Sequence, residues 1–121
     1  MKSQEDIEIY IEGNETDKIV SFLNKEIGTL SFDSEIDKGH ILYTYSDAKI
    51  LINSGIQYGY ISVYLKGLEN WKSDIEFARC IVSALEVTVR CDPGSEYPTV
   101  SPYSNIFVEI SQQGENLVEW G

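Results

Sequence analysis

The side chains that could do chemistry are few: one histidine, His40, two cysteines, Cys80 and Cys91, and an acidic run, Asp33-Ser34-Glu35-Ile36-Asp37. Acid–base or nucleophilic catalysis needs a base or nucleophile with a supporting partner. His40 stands between Gly39 and an apolar strand-like run. A lone histidine in that setting reads as structural. Cys80 falls in a helical pattern and Cys91 at the end of a strand, so both read as buried or half-buried thiols of a reducing compartment. Arg90 adjoins Cys91, but one cation beside a thiol does not make a nucleophile. The acidic run starts like a calcium loop, which needs Gly at its sixth position and a bidentate Glu at its twelfth. Those positions hold Lys38 and Thr44, so the run reads as a solvated acidic turn. The sequence contains no G-x-S-x-G, H-E-x-x-H, C-x-x-C or Walker loop. It therefore implies no catalytic residue, no cofactor and no metal.

Charge says more. The 121 residues carry twenty acids and nine bases, a net charge of −11. Residues 1–37 carry −7, residues 38–91 carry +1, and residues 92–121 carry −5 with no Lys or Arg. Nucleic acid and anionic membrane both demand cationic surface, so neither is an expected partner. A basic protein is. The start of the chain, Met1 to Asp6, has no apolar leader, and no run approaches the length needed to span a bilayer, which gives a cytoplasmic expectation. Asn14-Glu15-Thr16 matches a glycosylation sequon but reads, without secretion, as helix-start composition.

The length suits one domain, residues 1–121, and the 42% apolar content is enough for a core. Ile7, Ile9 and Ile11 alternate with Glu8, Tyr10 and Glu12, the period of a half-buried strand. Asn14 is positioned to cap a helix over Ile19, Val20, Phe22, Leu23 and Ile27 that stops at Gly28. A short strand is expected over 29–33, a polar turn over 34–39, and strands over 40–45, 48–53 and 57–66. Ser73-Asp74-Ile75-Glu76 matches a capping box opening a second helix, with an earlier start at Asn70 as the alternative, and its stripe of Ile75, Ala78, Val82 and Leu85 must pack on a sheet. Val87 and Val89 mark another strand. All three prolines fall in residues 92–104, a loop long enough to be either a functional lid or an ordered cover over a sheet edge. A hairpin over 106–110 and 116–120 closes the chain. The order predicts an α+β two-layer sandwich: a largely antiparallel sheet with two helices on one face, with a ferredoxin-like split βαβ core plus extra strands as one form of it.

Alternation then assigns faces. Ile61, Val63 and Leu65 go inward, so Tyr58, Tyr60 and Tyr64 go outward with Glu8, Tyr10 and Glu12. Tyr43 and Tyr45 share one face of their own strand, and only the register decides which. Glu109 and Glu119 of the closing hairpin join the group if that hairpin lies beside the first strand. Such a face has a plain reading as cross-strand aromatic pairing. It also reads as a protein-binding surface, because Tyr supplies contact area at low entropic cost and carboxylates steer a basic partner.

Three segments carry a family likeness: Trp71-Lys72-Ser73-Asp74-Ile75-Glu76-Phe77-Ala78, Val89-Arg90-Cys91-Asp92-Pro93-Gly94 and Glu115-Asn116-Leu117-Val118-Glu119-Trp120. Over residues 56–121 the chain resembles, in general character, the small acidic immunity proteins of bacterial polymorphic-toxin and contact-dependent growth inhibition systems. Those families share no diagnostic motif, so no residue role is carried over. The resemblance implies a non-enzymatic protein of the bacterial cytoplasm that binds a cognate basic toxin one to one. A nuclease is the expected toxin, since a nuclease cleft is cationic by necessity. The expected contact set is Glu8, Tyr10, Glu12, Tyr43, Tyr45, Tyr58, Tyr60, Tyr64, Glu109 and Glu119, and the free chain is expected as a monomer or weak dimer. The alternative is a small-molecule-binding or enzymatic α+β domain with the 92–104 loop as a lid.

Overall fold

The computed structural model describes residues 6–55, 59–101 and 103–120. Eight strands and two helices follow in the order β1 (Ile7–Glu12), α1 (Thr16–Glu26), β2 (Ser31–Asp37), β3 (His40–Tyr45), β4 (Ala48–Asn53), β5 (Tyr60–Lys66), α2 (Asp74–Leu85), β6 (Val89–Cys91), β7 (Ile106–Ser111) and β8 (Gly114–Glu119). One antiparallel sheet has the strand order β2-β3-β4-β5-β1-β6-β7-β8. The α+β expectation holds. At its centre, β1 leads through α1 to β4 with β5 between them, and β5 leads through α2 to β6 with β1 between them. That is the split βαβ order. The β2–β3 hairpin is inserted after α1, and the β7–β8 hairpin is appended after β6.

Both helices form where the sequence places them, for local reasons. In α1, Asp17 in the first turn and Lys25 in the last complement the helix dipole, and Ile19, Phe22 and Leu23 are buried. The N-cap is Glu15, not Asn14, and its side chain makes no cap bond. Glu15 is tied instead to Lys18 at 3.2 Å. In α2, the Ser73 hydroxyl accepts from the Glu76 N–H at 3.1 Å, as a capping box requires. The Glu76 carboxylate reaches one residue further back than expected and accepts from the Lys72 N–H at 2.9 Å.

One core lies between the helices and the sheet. It joins Ile7, Ile9 and Ile11, Ile50 and Ile52, and Ile61, Val63 and Leu65 to Ile19 and Leu23 of α1 and Ile75, Ala78 and Ile81 of α2. Phe22, Trp71 and Phe77 stack across the helix pair, with Trp71 and Phe77 centroids 4.5 Å apart. Among the described residues no helix is long and apolar enough to cross a membrane.

Several boundaries differ from expectation: β6 starts at Val89 rather than Val87, and the closing hairpin pairs Ile106–Ser111 with Gly114–Glu119, so Trp120 lies beyond it. Residues 34–37 form strand rather than turn, and the reversal is confined to Lys38 and Gly39. The period-2 signal fails there because the register slips between Phe32 and Ser34 and again between Glu35 and Asp37, and because β2 buries neither face. The 92–104 loop contains a 3₁₀ turn at Gly94–Glu96 and is fastened to the body: Glu96 bonds Arg79 at 2.9 Å, and the Tyr97 hydroxyl donates to Glu115 at 3.0 Å.

Candidate binding surface

The register fixes which residues share the face away from the helices, because cross-strand partners point the same way. One row runs Leu42, Leu51, Tyr64, Glu8 from β3 to β1. The next runs His40, Asn53, Ser62, Tyr10, Arg90, Glu109 from β3 to β7. Tyr60 opposes Glu12 at one end of the β5–β1 pair. Tyr10, Tyr60, Tyr64, Glu8, Glu12 and Glu109 therefore share the outer face, as the sequence led us to expect.

The rest of the expected set is placed differently. Tyr43 pairs with Ile50 and Tyr45 with Ala48, so both point to the helix side. There Tyr43 packs on the core, and Tyr45 lies against Gly28 at the end of α1. Glu119 pairs with Ile106 and shares the helix-side parity of Val108 and Ile110, so it does not join Glu109. Tyr58 lies outside the described residues.

The outer face is not a uniform field of tyrosines and carboxylates. Trp120 folds over it, held by its N–H to the Asn105 carbonyl at 2.9 Å. Its ring lies 4.9 Å from Tyr60, 5.1 Å from Tyr10 and 5.3 Å from Phe107. The Arg90 guanidinium lies over both the Tyr60 and Trp120 rings, at 5.3 and 5.1 Å, while bonding Glu109 at 3.0 Å. Tyr60 is only 7% exposed, so it is core to this small cluster rather than contact surface. Glu109 is neutralised by Arg90. Sequence reasoning missed the cluster because Phe107, Arg90 and Trp120 come from separate segments; the alternation of β7 does put Phe107 on the side of Glu109.

What stays accessible is the part around β1 and β5. Glu8 and Glu12 are exposed, and Glu8 accepts the Ser62 hydroxyl at 3.2 Å. Burial, then the neighbouring Glu8, raises the Tyr10 phenol; burial, then Asp6, raises Tyr64. Both remain neutral donors at physiological pH, suited to hydrogen bonding rather than to proton abstraction.

The remaining chemistry-bearing residues are dispersed. Strand alternation sends Arg90 outward and Cys91 inward, against Ile9 and Val108, so the two side chains are separated by the sheet. Burial pushes the Cys91 thiol far up, away from nucleophilic character. Cys80 is half-buried on α2. The 92–96 segment borders an open cleft of about 470 Å³ at the N-terminal end of α2, lined among others by Asp6, Ser73, Asp74, Asp92 and Glu96.

A second exposed surface was read in sequence only as an acidic turn. β2 is an outer strand of the sheet, and it leaves Phe32 63% and Ile36 53% exposed beside Asp33, Glu35 and Asp37. Compared with family models, curated proteins and solved structures, the chain matches none.

Proposed function

We propose that this chain is a non-enzymatic binder of a basic protein, an immunity-type inhibitor that occupies the cationic cleft of a toxin such as a nuclease. The observation that carries this reading is the state of the carboxylates after folding. Ion pairs among the described residues engage only Glu15, Glu96, Glu109 and Glu115. The surplus behind the −11 charge is left facing water, at Glu8 and Glu12 on the outer face and at Asp33 and Asp37 on β2. Solvent-facing carboxylates of one sign repel each other and are repaid by a cationic partner, whose approach they accelerate. The setting in which such a protein acts is the cytoplasm of the bacterium that makes the toxin.

The test is direct. The purified chain is mixed with the purified product of an adjacent toxin-like reading frame, and nuclease activity and association rate are followed against salt. Stoichiometric inhibition, with association slowing steeply between about 0.05 and 0.5 M salt, is expected because screening shortens the reach of the charges. Absence of any complex at low salt defeats the reading.

The cleft beside the 92–96 segment favours a second reading, a small-molecule site, because its volume falls in the range of ligand pockets. Its acidic rim would select a cationic ligand. Saturable binding of a small organic cation, lost on Asp92→Asn, would move the assignment there.

A further inference from the structure

Resting on the reading of the chain as a binder of a basic protein, we infer that the partner docks on the β2 edge, by adding an extended, Lys- or Arg-bearing segment as a ninth strand. An edge strand presents a row of backbone N–H and C=O groups with no strand to pair them. The sheet has two such edges, β2 and β8. They differ in what surrounds the backbone. β8 carries two carboxylates, Glu115, which is consumed by Arg79 and Tyr97, and Glu119, the one left to water, beside a single exposed apolar residue, Leu117. On β2, Ser31–Asp37 carries three carboxylates and no base. Asp33 and Asp37 make no hydrogen bond or ion pair among the described residues, and Glu35 gives one oxygen to the Gly39 N–H at 3.2 Å.

Apolar contact is available on the same strand. Phe32 rests edge-on against Tyr43, centroids 6.3 Å apart, and keeps most of its surface in water; Ile36 does the same without a ring partner. Carboxylates interspersed with exposed apolar side chains along one edge match an extended peptide that carries both basic and apolar residues, with main-chain bonds giving affinity and side chains giving selection. The same carboxylates argue against a second copy of this chain: two β2 edges would set three carboxylates against three.

The experiment uses the full chain, isotopically labelled for amide NMR, and a peptide of about twelve residues alternating Lys and Val as the probe, with a Glu–Val peptide as control. Backbone shifts and slowed hydrogen exchange are expected across Ser31–Asp37, with the control silent. The variant carrying Asp33→Lys and Asp37→Lys should bind the probe about tenfold more weakly, from the loss and reversal of two exposed charges. The variant carrying Glu69→Lys and Glu86→Lys, an equal charge change at exposed positions outside both the β2 edge and the outer face, should bind as the parent does. Shifts centred on Glu8, Tyr10 and Tyr64, or on β8, overturn the edge assignment while leaving the basic-partner reading intact. Binding of neither peptide anywhere counts against both. Dimerisation of the free chain that is lost in the β2 variant would make a second copy the occupant and overturn the assignment.

Discussion

The Arg79 Nε lies 2.6 Å from Glu115 Oε2, joining α2 to the edge strand β8 across the end of the core. The same guanidinium holds Glu96 at 2.9 Å, and Glu115 also takes the Tyr97 hydroxyl. One cation thus fastens the last hairpin and the proline-bearing loop to one helix. The hydrogen bond from Arg79 is the main cause that holds the Glu115 pKa below the ordinary glutamate value; burial opposes it and Tyr97 assists. A carboxylate depressed in the folded state contributes stability above the ordinary glutamate value, and that contribution disappears as pH falls through the folded value.

The expected outcome is a pH-dependent gap between the parent and Glu115→Gln. At pH 7 the variant should unfold about 1 kcal/mol more easily, a modest figure because both partners are partly in water. The gap should shrink as pH falls below the ordinary glutamate range and the parent's own carboxylate protonates. Urea titrations at pH 7, 5 and 3 measure it. A gap of equal size at all three would show that the glutamine disturbs packing and that the charge is immaterial.

Gly28 illustrates a constraint that is visible in sequence only as a stop signal. Its φ is +137°, and a methyl group there would sit 2.5 Å from a ring carbon of Tyr45. Two penalties therefore meet at one position, backbone and steric. Gly28→Ala should cost about 2–4 kcal/mol. In a Tyr45→Ala background the steric part disappears and only the backbone part remains, so the same change should cost about 1–2 kcal/mol. Denaturant midpoints for the four members of this double-mutant cycle give the coupling directly. Additivity within error would mean that the ring moves aside without cost.

How far the sequence could be read follows from which features are local. The isoleucines of β1 alternate because one face is dry, and the register then keeps every one of them in the core. The Ser73–Glu76 cap is legible because both partners lie within one turn. Tyr43 and Tyr45 were not assignable, since their face depends on pairing with β4, a non-local fact. The same holds for Glu119, which follows Ile106 to the helix side. The strand expected over 29–33 runs on to Asp37, and residues 34–37 read as a turn because a strand wet on both faces carries no hydrophobic period; that wetness is the property that makes β2 a candidate docking edge. Of the expected contact set, Glu8, Glu12 and Tyr64 stay accessible; Tyr10, Tyr60 and Glu109 share the face but are engaged in the cluster around Trp120 and Arg90.

Trp120 is the residue whose structural weight the sequence concealed most. It closes a second, smaller apolar cluster on the face opposite the main core, against Tyr10, Tyr60 and Phe107 and beneath the Arg90 cation. Trp120→Ala removes the lid of that cluster and leaves Arg90 facing water. The loss should be about 2–3 kcal/mol, below that of a fully buried tryptophan because the ring is only half-buried. Trp120→Phe should recover a large part of it, while Arg90→Ala, which removes the cation–π contacts and frees Glu109, should cost about 1–2 kcal/mol. Chemical denaturation followed by circular dichroism measures all three without relying on the tryptophan itself. Unchanged stability in Trp120→Ala would show that the ring does not rest on the sheet in solution, and would return Tyr10 and Tyr60 to the open surface.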